Sequence, residues 1–568
     1  MTIKVKIQSK IKNAMKIRKF IKPKIIAVIL VIGAIVPLLS FTKDDDDDFE
    51  LIKNLEIFHN LMRDIRIMYV EETSSGELIH TAISKMLETL DPYTVYFPES
   101  LVEDVRMMNT GEYAGIGANF EEMNGQYIIS TVYKDSPADK AGLMIGDIIL
   151  KINDKDITGK SYEELDIILK GEPGTTVNIN AMHDGQKKTL SMKRAMINIP
   201  DIPYYGEIAP KIGYINLSGF TQDCGKQFRD AFVQLKNEKH IDKLIIDLRY
   251  NPGGLLVEAV NIVNIFVDKG EKVVEMKARV EEWNNTFRAE NEPIDTKIPI
   301  VVLVNGNSAS AAEIVSGALQ DLDRAVIIGE KTYGKGLVQT TKQLVFNSSM
   351  KVTTAKYYIP SGRCIQKLDY GHKDSTGKAT KISESQFKTF KTKNGRPVKD
   401  AGGIMPDIVV NSDTMAYILE NLIDKNIIFD FATQYQKSHA SVKGPDEFEV
   451  TDREILDLKA FAGDRLYKYK TMVDEDLDDL ASDIKSEYAN PAITATFNTL
   501  KKQVEAEKQK EYERQKSQIR TALGSEIIRR YYYDEGMIRY SLKNDQFIEK
   551  AQEVLNNAVL YQKILSGK

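Results

Sequence analysis

Cysteine is almost missing from this chain. Only Cys224 and Cys364 occur in 568 residues, so no framework of several disulfides can hold the fold, and apolar packing must do it. Whether those two pair or are simply buried is left open by their spacing. Histidine is also scarce: the six present show no His-x-x-x-His spacing, and there is no Cys-x-x-Cys. That excludes the common zinc patterns, and neither a metal nor a cofactor is expected. A basic surplus is lacking as well. The formal charge is -5, and nine Lys/Arg without one acid fall in residues 1–24, so the remainder carries -14. A body this acidic excludes nucleic acid as a partner.

What is present begins with that basic head. It is followed by IIAVILVIGAIVPLLSF, Ile25 to Phe41, an uncharged stretch at the short limit for a membrane-spanning helix. Nine flanking positive charges fit poorly in a core but keep an N-terminus cytoplasmic and send the rest outward. The segment reads as a secretory signal or an uncleaved anchor. No small-x-small cleavage site stands near Ser40, which favours the anchor. The expected location is the cell envelope, on the periplasmic side, membrane-anchored or secreted. Asp44 to Asp48 reads as a solvated, mobile spacer.

The chain is organised around Pro299 to Gln339. An apolar run, Ile300 to Val304, is broken by Asn305-Gly306-Asn307, and small residues around Ser310 then open a helical pattern. A hydroxyl at such a strand–turn–helix junction lies beside backbone N–H groups without intrahelical partners, so it can attack a carbonyl while those donors stabilise the oxyanion. Ser310 is the nucleophile candidate. A second apolar run, Ala325 to Ile328, ends in a loop where Lys335 sits between Gly334 and Gly336, positions that allow close backbone approach. A lysine serves as a base only if burial lowers its pKa from about 10.4. Gln339, four residues on, could orient the amine. The same residues also read as a helix cap and a glycine loop.

The block NSASAAEIVSGALQDLDRAVIIGEKTYGKGLVQ closely resembles the active site of the C-terminal processing peptidases, which use serine as nucleophile and lysine as base. Position by position, the resemblance assigns these roles to Ser310 and Lys335, adds Gln339, and gives Asp321 a supporting place. The turn Asp247-Leu248-Arg249-Tyr250-Asn251-Pro252-Gly253-Gly254 would supply one oxyanion N–H, placed on Gly253, with the Ser310 N–H as the second. Leu90 to Phe97 resembles the segment that precedes the PDZ domain in the same family; alone it is a helix stop. Residues 111–194 read as short strands and short helices and resemble a PDZ domain. Gly115, Ile116, Gly117 and Ala118 would hold a terminal carboxylate, while Ile116, Phe120 and Leu165 would shape the side-chain pocket. No helix-opening Gly-x-Gly-x-x-Gly accompanies them, which excludes a dinucleotide site.

The expected architecture is a multidomain α/β protein with a ClpP/crotonase-like layered peptidase core and an inserted PDZ domain. Its parts are 1–48 (head and spacer), 49–108 (N-terminal helices), 109–196 (PDZ), 197–410 (peptidase core) and 411–568 (helices offering a scaffold or a homo-oligomer surface). Arg363 to Gln366 is expected as a strand and 367–399 as a mobile insertion. The resemblance implies an exported serine endopeptidase acting on proteins or peptides with free C-termini. A silent PDZ scaffold is the alternative. A crotonase-like acyl-CoA enzyme fits export poorly, since acyl-CoA is cytoplasmic.

Overall fold

The computed structural model describes residues 44–568 apart from Asp184, Asp413, Ala489 and Lys568. The basic head and Ile25–Phe41 lie outside the described residues, and among these no helix is long and apolar enough to cross a membrane. The described residues 44–87 belong to one compact unit, with a helix Asp44–Met68 and a second beginning at Ser75. The aspartate run falls within the first helix, not in a spacer.

The second unit is built on a six-stranded sheet. Its order is Tyr204–Ala209, Ile212–Asn216, Lys243–Asp247, Ile300–Val304, Val326–Gly329 and Ile408–Val409, parallel except for the first pair. Parallel strands buried on both faces read as continuous apolar runs, which is why Ile300–Val304 and Val326–Ile328 carry no polar alternation. One face, with Ile246, Val302 and Ile327, packs on the helices Cys224–Glu238, Leu256–Asn264 and Ala311–Asp321. The other, with Tyr214, Val301 and Leu303, is covered by the C-terminal helices Gln546–Asn556 and Ala558–Ser566. These C-terminal helices therefore complete the layered core around this sheet.

A second sheet is centred on Ser349–Tyr358, which pairs with Val95–Phe97, Lys272–Ala278 and Leu337–Gln343. It brings the segment before the PDZ domain next to the strand that follows Lys335. The PDZ core closes around Ile129, Ile149, Leu165, Val177 and Ile179. It is inserted through a two-stranded ribbon, Glu112–Gly115 against Ala195–Asn198. The hairpin arm Gln186–Lys193 pairs with Thr176–His183 and ends the domain's sheet. The helical C-terminal region has its own core around Ile455, Leu458, Tyr512, Ile519 and Leu523 and docks on the PDZ domain. Arg529 donates to Thr131 Oγ1 at 2.7 Å, and the Tyr533 hydroxyl donates to Asp139 at 2.8 Å.

Two expectations are corrected. Arg363–Gln366 is not a strand: its side chains are spent as anchors, with Arg363 fully buried against Asp321 at 2.9 Å and Gln366 accepting the Gly336 N–H at 2.7 Å. Residues 367–399 are not a mobile insertion but two hairpins, Leu368–Lys373 with Ala379–Lys381 and Thr389–Lys391 with Pro397–Lys399. The second is pinned by Arg396, buried between Asp323 at 2.6 Å and Asp407 at 2.5 Å.

Candidate active site

Strand Ile300–Val304 ends at Asn305, whose side chain accepts the Tyr250 N–H at 3.0 Å, so the Ser310 turn and the Asp247–Gly254 turn are held together. Ser310 adopts φ 54° and ψ -114°, a conformation rare for a residue with a side chain. Strain of this kind is worth about 1–3 kcal/mol and persists only where the surroundings impose it. Gly253, at φ 99°, lies directly against it: a Cβ there would meet Ser310 Cβ at 2.7 Å, the Ala309 carbonyl at 2.8 Å and the Ala311 nitrogen at 2.9 Å. Gly253→Ala is therefore expected to displace the Ser310 side chain and, with Ser310 as nucleophile, to lower kcat about 100-fold, the order of loss for a displacement near 1 Å. A kcat within a few-fold of wild type in steady-state assays would contradict this packing.

Ser310, Lys335, Gln339 and Gly253 line one cavity of about 420 Å³. The segment holding Lys335 is fixed at each residue. Gly334 and Lys335 N–H donate to Glu313 at 2.8 and 2.9 Å, and Gly336 N–H donates to Gln366 at 2.7 Å. The Tyr357 hydroxyl donates to the Lys335 carbonyl at 2.7 Å and lies 3.1 Å from the Ser310 carbonyl. The lysine amine sits 4.2 Å from the centre of the Tyr93 ring. Tyr93 is placed there by Asp91, which accepts both the Tyr93 and the Thr94 N–H at 2.8 Å. Burial, with a smaller contribution from the Lys351 charge, lowers the Lys335 amine to about 8, while Glu313 and Asp91 oppose the shift. Attraction to the Tyr93 ring works against that shift by favouring the cation.

Glu313 joins the two halves of the site. It is fully buried, and its carboxylate accepts the Ser310 N–H at 2.9 Å, the Thr332 hydroxyl at 2.5 Å, and the Gly334 and Lys335 N–H groups. Burial pushes its pKa up to about 7 despite those four donors. Sequence reading passed over Glu313, although Ser310-Ala-Ala-Glu313 matches a capping box, the one signal that pointed to it. Tyr93 and Tyr357 were also missed, since only tertiary packing brings them near.

Several assigned roles differ from the geometry. The Ser310 N–H is engaged by Glu313, and the Gly253 N–H donates to Asn251 Oδ1 at 2.8 Å, so neither expected oxyanion donor is free for a substrate. Among the described residues the N–H groups of Ala311 and Gly254, both on the cavity wall, have no acceptor. Gln339 donates to Thr353 Oγ1 at 3.2 Å, not to the Lys335 amine, and no hydrogen bond joins that amine to the Ser310 hydroxyl among the described residues. Asp321 acts by anchoring Arg363 at the end of the nucleophile helix. Cys224 and Cys364 are both free.

In the PDZ domain, Ile116, Ala118 and Phe120 line a groove of about 350 Å³ together with Tyr162 and Leu169. Gly117, at φ 79°, lets the loop approach Ser136, which a Cβ would meet at 2.3 Å. Gly115 precedes it at the end of strand Glu112–Gly115. Leu165 does not line this groove; it is fully buried in the PDZ core, one helical turn from the exposed Tyr162 ring that packs on Phe120 at 4.7 Å. Helix Val102–Thr110 connects the two sites, with Met107 on the PDZ groove and Met108 on the Ser310 cavity.

Comparison with known proteins agrees with this arrangement. The peptidase family S41 profile matches residues 211–371, a PDZ domain profile matches 114–193, and the profile described as "Probable PDZ-protease, C-terminal helical domain" matches 418–555. The carboxy-terminal-processing protease of Bartonella bacilliformis is 36% identical over 344 residues, covering 60% of this chain and 78% of that one. A probable CtpA-like serine protease of Staphylococcus haemolyticus is 31% identical over 402 residues, covering 70% and 78%. Among solved structures, a photosystem II D1 C-terminal processing protease aligns at 25% identity and a TM-score of 0.34, over 64% of this chain and 94% of that one. With a strained serine and a desolvated lysine on one cavity, and relatives of this kind across most of their length, the chain belongs to the carboxy-terminal-processing serine proteases of peptidase family S41.

Proposed function

We propose that this protease is exported, attached to the membrane by Ile25–Phe41 or released from it, and cuts polypeptides whose free C-terminus is held by the PDZ groove. The observation that carries the reading is the shared cavity of Ser310 and Lys335, joined through helix Val102–Thr110 to that groove. The basic head and uncharged segment support export. To act as base the Lys335 amine must leave the Tyr93 ring for the Ser310 hydroxyl across the cavity they share; catalytic hydrogen bonds of this kind often tighten only with substrate bound. The neutral amine takes the hydroxyl proton as Oγ attacks the scissile carbonyl, then returns it to the leaving amine. Water releases the acyl group from Ser310 by the same base. The Ala311 and Gly254 N–H groups are the donors available for the oxyanion, each worth about 3–4 kcal/mol when well aimed.

Incubating the purified chain with an unfolded protein, beside Ser310→Ala and Lys335→Ala, tests the reading. Fragments with wild type alone are expected; equal cleavage by all three would refute it. The pH dependence is a further expectation. Lys335 must lose its proton, and its pKa is lowered to about 8, so kcat/KM should rise through pH 7–9 and level off above. A flat profile between pH 5 and 9 would contradict a lysine base.

A further inference from the structure

The Ser310 cavity carries two lysines, Lys335 and Lys351, and no carboxylate among its lining residues. Lys335 has a chemical task. Lys351 touches no reacting atom, although its charge helps to lower the Lys335 amine; it is half-buried and forms no salt bridge with a carboxylate among the described residues. Burial alone pushes its amine below the ordinary lysine value. A cation kept partly out of water without a partner is unfavourable, and an incoming anion relieves that.

Its place along the strand says where such an anion would sit. In Ser349–Tyr358, Lys351 and Thr353 share a face opposite Thr341 and Gln339, and a bulge opposite Val338 and Gln339 shifts the register before Ala355 and Tyr357. Tyr357 marks the catalytic end through its bonds with the Ser310 and Lys335 carbonyls, and Thr353 contacts Gln339. Lys351 is at the other end, opposite Thr341, which also lines the cavity. An extended substrate rises about 3.3 Å per residue, as the strand does, so six strand positions correspond to six substrate residues at most.

We propose that Lys351 is a specificity-determining residue that receives a substrate carboxylate within about six residues of the bond that is cut. The carboxylate is an Asp or Glu side chain or the terminal α-carboxylate of a short tail. The inference rests on the peptidase mechanism proposed above and adds a charge preference that the PDZ groove does not supply.

The test uses the full chain and three peptides sharing one cleavable sequence: one with Glu in that window and an amidated end, one neutral with a free carboxylate in that window, and one neutral and amidated. Wild type should favour one or both anionic peptides about tenfold, mainly through KM. The first two arms identify which carboxylate is read. Lys351→Met should bring the anionic-to-neutral ratio close to one, Lys351→Arg should restore it, and Lys351→Glu should turn preference toward the neutral, amidated peptide. A wild type that cuts an unfolded protein but treats the three peptides alike overturns this inference only, as does a preference that survives in Lys351→Met. A wild type that cuts neither peptides nor protein overturns the mechanism and this inference with it.

Discussion

Lys335→Met and Ser310→Ala are each expected to lower kcat by about 10⁴-fold or more, and the double variant to be no slower than the worse single one. Groups that act as a unit are strongly non-additive, because once the base is gone the hydroxyl is an ordinary alcohol, and once the hydroxyl is gone the base has nothing to deprotonate. Residual turnover would come from binding and oxyanion donors, which neither substitution touches. Stability should change little. Lys335 is only partly buried and makes no ion pair among the described residues, and methionine retains its contact with Tyr93. Independent, multiplicative losses in the double variant would mean that the two side chains do not work together.

Glu313 gives the second large effect. Glu313→Ala leaves the Ser310, Gly334 and Lys335 N–H groups and the Thr332 hydroxyl without their acceptor in a fully buried position. Each unsatisfied buried group costs about 1–3 kcal/mol, so the variant should melt well below wild type and show no turnover. Glu313→Gln is the sharper experiment. Either orientation of the amide turns its NH₂ toward a backbone N–H, that of Gly334 on one side or those of Ser310 and Lys335 on the other. The packing survives, but the nucleophile and base loops lose their common tie. A fall in kcat of about 100-fold with KM nearly unchanged is expected. Wild-type kcat in this variant would show that the carboxylate serves folding alone.

How much of this the sequence disclosed depends on the range of the interactions involved. The strand–turn–helix at Ser310 and the glycine-flanked Lys335 are local patterns, and both side chains do line one cavity. The parallel sheet was legible for the same reason: Ile300–Val304 and Val326–Ile328 are apolar at every position. What escaped was tertiary. Tyr93 reaches Lys335 from a segment some 240 residues earlier, brought in by the pairing of Val95 with Lys351. In sequence Arg363 reads as part of a strand and Arg396 as part of a mobile insertion, because their partners Asp321, Asp323 and Asp407 lie elsewhere in the chain. The two expected oxyanion donors are occupied for a local reason: Asn251 and Glu313 capture the N–H groups of Gly253 and Ser310, the second a capture that the Ser-x-x-Glu spacing encodes.

The most direct measurement is the rate at which a serine-directed fluorophosphonate labels Ser310 as a function of pH, with the adduct located by peptide mass. A single adduct on Ser310 is expected, forming faster as pH rises through about 8 and lost in Lys335→Met. Labelling at another serine, or labelling of Ser310 at a rate independent of pH and of Lys335, would contradict a neutral lysine acting as its base.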